Sequence, residues 1–101
     1  MRPRWCNLEI VAAYVYILRC SDEKLYVGST SDLSRRLAEH NQGLSGWTSS
    51  RLPASLIYFE ECQTPAQARQ RERSLKNGRT RRKTIERMIQ DFPKVELARF
   101  A

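Results

Sequence analysis

The sequence predicts a single α+β domain in which a three-stranded, mainly antiparallel sheet is flanked by helices. A β-hairpin pattern near the N-terminus, a third apolar strand after residue 54 and helical periodicity after the second and third strands support this prediction. At 101 residues the chain is long enough for one hydrophobic core and leaves little room for a separate module. The predicted order of elements is β-β-α-β-α-α.

The N-terminal hairpin is predicted from residue types. Ala13–Arg19 (AYVYILR) is rich in β-branched and aromatic residues, residues 21–24 (SDEK) supply a tight turn, and residues 25–28 (LYVG) form a second strand. Because residues i and i+2 share one face of a strand, Tyr14 and Tyr16 point to the same side of the predicted sheet.

A helix of about three turns is predicted to follow the hairpin. Ser31 is the expected N-cap, Asp32 favours the first helical turn, and Gly43 ends the helix. Leu33 and Leu37 are four residues apart, so they stack on one face and are expected to point into the core.

The second half of the chain is predicted to form a loop, one strand and two helices. Residues 41–53 hold two glycines and three serines around Trp47 and are predicted to be a surface loop. Residues 55–61 (SLIYFEE) form the third strand. The next helix begins at Thr64 and Pro65, which supply a hydroxyl cap and a proline at the first helical position.

This second helix is predicted to end at Asn77 and Gly78, and a third helix to occupy residues 80–91. The apolar residues of the third helix lie on one face: Ile85, Met88 and Ile89. The chain therefore divides into three predicted parts: a flexible leader (1–12), one domain (13–92) and a C-terminal tail (93–101).

The positive charge is concentrated in one segment. The formal net charge is +7, and residues 69–87 carry nine basic residues against two acidic ones, which accounts for the whole excess. Such a concentration favours an anionic partner such as a phosphate backbone, although many basic proteins are basic only for solubility.

The cysteines and the apolar runs favour a cytoplasmic protein. Three cysteines without a CxxC pair, in a chain with one histidine, make a poor zinc set, and an odd number argues against a disulfide framework. The longest apolar run, residues 10–18, is too short to cross a bilayer. We therefore expect no membrane partner.

Four residues of the hairpin and first helix form the first group of candidate site residues. The hairpin brings Tyr16 close to Tyr26, and a nearby cation would help a tyrosine to act as a general base. Arg36 and His40 lie four residues apart on the helix after Tyr26, and a guanidinium suits bidentate contact with phosphate. Taken singly, each residue also fits an ordinary structural or solvated position.

Glu72 is the second candidate feature, because it is the only acidic residue between Glu61 and Glu86. It is flanked by several cations. It could form a plain salt bridge, or it could bind Mg²⁺, which is commonly held by one or two carboxylates with phosphate and water as the remaining ligands. The sequence leaves both interpretations open.

Together these motifs resemble the GIY-YIG nucleases. Residues 14–18 (YVYIL) and 25–28 (LYVG) are similar to the paired tyrosine motif of that family, and residues 29–37 (STSDLSRRL) place its catalytic arginine on Arg36. Residues 68–76 (ARQRERSLK) place its metal-binding glutamate on Glu72. Two positions depart from the pattern: Tyr14-Val15 replaces a common Gly-Ile, and Ser29 replaces a common lysine.

The resemblance implies metal-dependent hydrolysis of DNA phosphodiester bonds, with branched or damaged DNA as a candidate substrate. It implies that Tyr26 helps to deprotonate the attacking water and that Tyr16 orders the site. Arg36 would stabilise the developing charge, and Glu72 would hold one Mg²⁺ or Mn²⁺. His40 falls where several members carry a supporting histidine.

Contacts to DNA are expected from the 41–53 loop and from the basic helices. The candidate residues are Trp47, Arg51, Arg69, Arg73, Lys76 and Arg79. A protein partner is a further candidate source of targeting, and the sequence does not determine the oligomeric state. The alternative function is a non-catalytic nucleic-acid-binding module that retains the fold.

Overall fold

The computed structural model describes residues 11–77 and 82–100. The predicted order of elements and the α+β class are confirmed. The elements are β1 (Ala13–Arg19), β2 (Leu25–Thr30), α1 (Leu33–Asn41), β3 (Ser55–Cys62), α2 (Pro65–Lys76), α3 (Arg82–Asp91) and a 3₁₀ helix, Lys94–Phe100.

The sheet has β1 at its centre, with β2 and β3 pairing antiparallel on either side of it. Tyr16 on β1 lies directly opposite Gly28 on β2 and Phe59 on β3. The β1–β3 register shifts between Ile17 and Leu18. Since β2 is an edge strand, side chains near Gly28 lie at the border of the sheet.

Each face of the sheet packs its own hydrophobic cluster. On the α1 face, Tyr16 and Leu18 pack with Leu33 and Leu37 of the helix, and Phe100 of the 3₁₀ helix packs against the same cluster. The other face packs against α2 and α3 through Ala13, Val15, Cys62, Ala68, Leu75, Ile85 and Met88. Because successive side chains of β1 point to opposite faces, Tyr16 and Leu18 join one cluster and Ala13 and Val15 join the other.

Several predicted boundaries require correction. Asp32, and not Ser31, is the N-cap of α1, because Asp32 has an extended backbone and its carboxylate accepts a hydrogen bond from the Arg35 N–H. β2 extends beyond Gly28 to Thr30, which pairs with Tyr14. For α2, Thr64 is the N-cap and Pro65 stands at the first helical position, as predicted.

The loop between α1 and β3 is only partly a surface loop. Ser45 and Thr48 are buried, whereas Leu44 and Trp47 are exposed. Other predictions fall on residues outside the described ranges: most of the leader, Gly78 as a helix end, Arg79 as a DNA contact and Thr80 as a helix start. Within the described ranges, no helix combines the length and apolar character needed to cross a membrane.

Candidate active site

Gly28 allows the two tyrosines of the hairpin to meet. A Cβ atom on this residue would lie 2.5 Å from the Tyr16 hydroxyl oxygen and 2.9 Å from Cε1 of Tyr26, so only glycine leaves room for both rings. Tyr16 is completely buried and Tyr26 is half-buried, with ring centroids 6.1 Å apart. The side chain of Tyr16 therefore crosses the backbone of the edge strand and stands beside Tyr26.

His40, in the last turn of α1, fixes the hydroxyl group of Tyr16. Its Nε2 lies 2.9 Å from the Tyr16 oxygen, and its Nδ1 lies 2.8 Å from Oγ1 of Thr48. The Thr48 hydroxyl donates to the carbonyl of Ser45, so it accepts from the Nδ1–H of His40. Nε2 is then an acceptor, and the Tyr16 hydroxyl donates its proton to it.

The pKa shifts of these two groups agree with this assignment. Burial, assisted by the nearby charge of Arg36 and opposed by Glu39, lowers the pKa of His40 to about 4, which keeps the imidazole neutral at pH 7. Burial, together with Tyr26, raises the pKa of Tyr16 well above its usual value, although Arg36 opposes the rise. The Tyr16 hydroxyl therefore keeps its proton at pH 7 and donates a hydrogen bond to His40.

Arg36 supplies the positive charge of the cluster. Its guanidinium interacts with the hydroxyl groups of both tyrosines, and it also donates to Glu39 at 3.1 Å and to the Ser45 hydroxyl at 3.4 Å. Glu39 is one turn further along α1, so the helix itself orients the guanidinium. Four of the five predicted catalytic residues thus form one cluster. The rings of Tyr16, Tyr26 and His40 pack together, and Arg36 lies beside both tyrosine hydroxyl groups.

Glu72 reaches the same edge of the sheet from the α2 face. Its Oε1 accepts a hydrogen bond from Ser29 at 2.6 Å, and its Oε2 accepts from Lys76 at 2.7 Å. The ammonium of Lys76 also lies 5.5 Å from the ring centroid of Tyr26. Lys76 therefore lies between the Glu72 carboxylate and the Tyr26 ring.

Glu72 offers a single, partly exposed carboxylate as the group that would hold a divalent cation, and both of its oxygens already accept a hydrogen bond. No set of three or more His, Cys, Asp or Glu side chains that could share a metal occurs in residues 11–77 and 82–100. A site of this kind suits Mg²⁺, which often takes one protein carboxylate and completes its coordination with phosphate and water. The side chain of Glu72 is 23% exposed, so solvent and ligands can reach it.

The predicted DNA contacts are arranged in two groups. Trp47 stacks on Tyr26 with centroids 5.8 Å apart, and the Arg51 guanidinium lies 4.2 Å from the Trp47 ring centroid. Trp47, Tyr26, Lys76 and Arg82 line one cavity of about 580 Å³. The other group, Arg69 and Arg73, is exposed on α2.

Some residues of this site were missed from the sequence. Thr48 and Ser45 belong to the loop predicted to be exposed, and nothing in their local pattern indicated contact with His40 or Arg36. Ser29 was noted as the loss of a cation, whereas it is a hydrogen-bond donor to Glu72. The Arg36–Glu39 pair could have been found from its i, i+3 spacing.

Comparison with known proteins gives consistent matches. The family model for the GIY-YIG catalytic domain matches residues 12–86. UPF0213 protein DP2720 of Desulfotalea psychrophila is 38% identical over 87 residues, which cover 83% of this chain and 72% of that protein. UPF0213 protein HQ_3675A of Haloquadratum walsbyi is 46% identical over 65 residues, covering 63% of this chain and 73% of the relative.

A solved structure shows the same relationship. The solution NMR structure of the UPF0213 protein BH0048 from Bacillus halodurans matches with a TM-score of 0.51 and 30% sequence identity, over 85% of this chain and 92% of that one. The family match covers most of the chain and confirms the prediction made from the tyrosine motifs. This protein belongs to the GIY-YIG catalytic domain family.

Proposed function

We propose that this protein is a divalent-metal-dependent endonuclease that hydrolyses DNA phosphodiester bonds. The observation that carries the proposal is the clustering of Tyr16, Tyr26, Arg36 and His40 at the sheet edge that Glu72 also reaches. Membership of a catalytic-domain family supports it. The exposed cations of α2 and the exposed Trp47 support DNA as the substrate.

In the proposed mechanism, the two tyrosines have different roles. Tyr16 is buried and holds its proton toward His40, so it orders the site and does not act as the base. Tyr26 is half-buried and accessible, so it is the group positioned to accept a proton from the attacking water.

The two charged groups act on the phosphate. Arg36 lies beside both hydroxyl groups and stabilises the negative charge that develops on the phosphorus-bound oxygens. Glu72 is the residue that would hold Mg²⁺ or Mn²⁺, which when bound supplies Lewis-acid polarisation of the phosphate.

We extend the proposal to branched or damaged DNA, and thus to DNA repair, because Trp47 is 41% exposed beside Tyr26. An exposed aromatic ring next to cations is able to stack on a base that is not paired within a duplex. We also propose that the protein acts in the cytoplasm and that a protein partner targets it to its substrate.

A nicking assay tests the proposal directly. Purified protein with Mn²⁺ is expected to nick DNA, and Glu72→Ala and Arg36→Ala are each expected to reduce the rate by about 10²-fold or more, since a transition-state charge loses its partner. Arg35→Ala, an exposed arginine next to Arg36, is the matched control and should retain nicking.

Binding and substrate choice complete the test. Fluorescence anisotropy should show that both inactive variants still bind DNA, and a panel of duplex, flap, fork, Holliday-junction and single-stranded substrates identifies the preferred form. If wild type and both variants show the same residual nicking while binding persists, the protein is a non-catalytic nucleic-acid-binding module.

A further inference from the structure

We propose that Lys76 competes with the metal ion for Glu72, so that the carboxylate is occupied by the lysine ammonium until DNA provides another partner for it. Metal binding and DNA binding are then cooperative. This inference rests on the proposed function in one respect, namely that Glu72 is the residue that holds the divalent cation.

Both oxygen atoms of Glu72 already accept a hydrogen bond. Ser29 donates to Oε1 at 2.6 Å, and Lys76 donates to Oε2 at 2.7 Å. The side chain of Lys76 is 45% exposed, so it is free to take up other conformations, whereas Ser29 belongs to a strand. Each oxygen keeps a second lone pair, so a cation that coordinates Glu72 would stand close to both donors.

The electrostatic cost identifies which donor moves. An ammonium and a dication at one carboxylate repel each other, and at a separation of about 4 Å the repulsion is equivalent to at least about tenfold in a binding constant even at the dielectric constant of water. A serine hydroxyl carries no net charge and rotates to suit its neighbours. The lysine is therefore the group that leaves Glu72 when a divalent cation binds.

The cavity beside Tyr26 is the place to which Lys76 can move. Its ammonium already lies 5.5 Å from the Tyr26 ring centroid, and its side chain lines the cavity shared with Trp47 and Arg82. A phosphate bound beside Tyr26 would accept a charge-assisted hydrogen bond from the displaced ammonium. Because binding linkage is reciprocal, DNA then increases the affinity for metal and metal increases the affinity for DNA.

Metal binding without DNA is the most direct test. Mn²⁺ binding is measured by electron paramagnetic resonance of the free ion on the full chain. Lys76→Met is expected to tighten Mn²⁺ binding by about tenfold, because the competing charge is removed. Lys76→Arg should stay close to wild type, since it keeps the charge.

The matched control is Lys83→Met, the same substitution at an exposed lysine of α3. It removes the same charge without removing the Glu72 contact, so any general effect of net charge appears in both methionine variants. Glu72→Gln locates the ion and should abolish the binding that Lys76→Met strengthens. Thermal melts confirm that each variant is folded.

A second measurement tests the cooperativity. A phosphorothioate oligonucleotide that resists cleavage should tighten Mn²⁺ binding to wild type by severalfold and tighten binding to Lys76→Met much less. In the same variant, DNA binding in Mn²⁺ should lose about one unit of the salt dependence, as expected when one phosphate contact is removed.

Four results would overturn the inference: unchanged or weaker Mn²⁺ binding in Lys76→Met, equal tightening in Lys83→Met, equal DNA-dependent tightening in Lys76→Met, or no measurable binding in wild type and Lys76→Met. Failure of the proposed nuclease function can be distinguished from failure of this inference. Glu72-dependent Mn²⁺ binding without DNA nicking would reject the nuclease and leave the competition intact, whereas nicking with unchanged Mn²⁺ binding in Lys76→Met would do the reverse.

Discussion

The two faces of the sheet each bury one tyrosine whose hydroxyl donates to a neighbouring side chain. On the α1 face, Tyr16 donates to the neutral imidazole of His40. On the α2 face, Tyr58 lies opposite Ile17 and donates to Glu60, which forms an ion pair with Arg71 at 3.0 Å. Burial is the main cause that raises the pKa of both tyrosines.

The two tyrosine networks differ in where their charged side chains lie. Around Tyr58 the carboxylate and the guanidinium balance each other, and the Glu60 side chain is only 1% exposed. Around Tyr16 the buried partners are neutral, and the charge of Arg36 stands at the border of the cluster, with its side chain 30% exposed. Arg71 is as exposed as Arg36, at 31% against 30%, so the accessibility of the cation does not distinguish the two networks. The burial of the carboxylate partner does, since Glu60 is 1% exposed and Glu39 is 34% exposed.

Breaking the ion pair on the α2 face should have the largest effect on stability. Arg71→Met leaves the buried carboxylate of Glu60 without its guanidinium partner, and we expect a loss of about 3–5 kcal/mol in the free energy of unfolding. Urea unfolding measures this loss. At a temperature where the variant is folded, Mn²⁺-dependent nicking should be retained, because the Arg71 guanidinium pairs with buried Glu60 and has no role in the proposed reaction.

A double variant sharpens this test. Glu60→Gln combined with Arg71→Met removes both charges and keeps an acceptor for the Tyr58 hydroxyl, so much of the lost stability should return. Equal destabilisation by the single and double variants would show that packing, and not the buried charge, dominates this face.

Acidification should destabilise the α1 face through His40. The pKa of His40 falls from 6.5 to about 4 on folding, so its stabilising contribution of about 3 kcal/mol is fully present above pH 6.5 and is lost as the pH falls toward 4. About 2 kcal/mol of this contribution should be lost between pH 7 and pH 5 in urea unfolding. His40 is the only histidine in the sequence.

His40→Gln is the control for the loss of stability between pH 7 and pH 5. It should lower the free energy of unfolding at pH 7 and flatten its dependence on pH between 7 and 5. A slope as steep as that of wild type would assign the effect to carboxylates instead of His40.

Gly28→Ala tests whether the absence of a side chain at residue 28 positions Tyr16. The added Cβ would lie 2.7 Å from Cζ of Tyr16 and 2.9 Å from Cε1 of Tyr26, so both rings must shift. We expect a loss of about 1–3 kcal/mol in stability together with loss of nicking. Thermal unfolding and the nicking assay measure the two effects.

Gly46→Ala is the matched control, because no heavy atom lies within 4 Å of the corresponding Cβ. Its stability should change by less than about 0.5 kcal/mol. Similar stability and nicking in the two alanine variants would contradict the close packing of Tyr16 over the β2 backbone.

Local sequence signals predicted the elements well because they depend on neighbouring residues. The alternation in β1 predicted which side chains share a face, and Thr64 with Pro65 predicted the start of α2. The N-cap of α1 was misplaced by one residue, because Ser31 and Asp32 are both good caps and only the backbone conformation distinguishes them.

The candidate site was predicted only as far as its motif residues. The tyrosine motifs and Arg36 carried the family assignment, and His40 was placed by helical spacing. The contacts of Thr48 and Ser45 were not predictable, since they depend on how the loop after α1 folds back on the helix. The catalytic roles of these residues stay predictions until the variants are measured.

The sequence by itself determined the strand alternation, the start of α2, the location of the positive charge and the family. These properties depend on residue type and short spacing. Tertiary structure decided which charges are satisfied: Arg71 pairs with buried Glu60, Lys76 pairs with Glu72, and Arg36 stands beside two hydroxyl groups. All three are cations of similar chain length, and only the distance and burial of their neighbours make one structural, one a proposed competitor and one a proposed catalytic group.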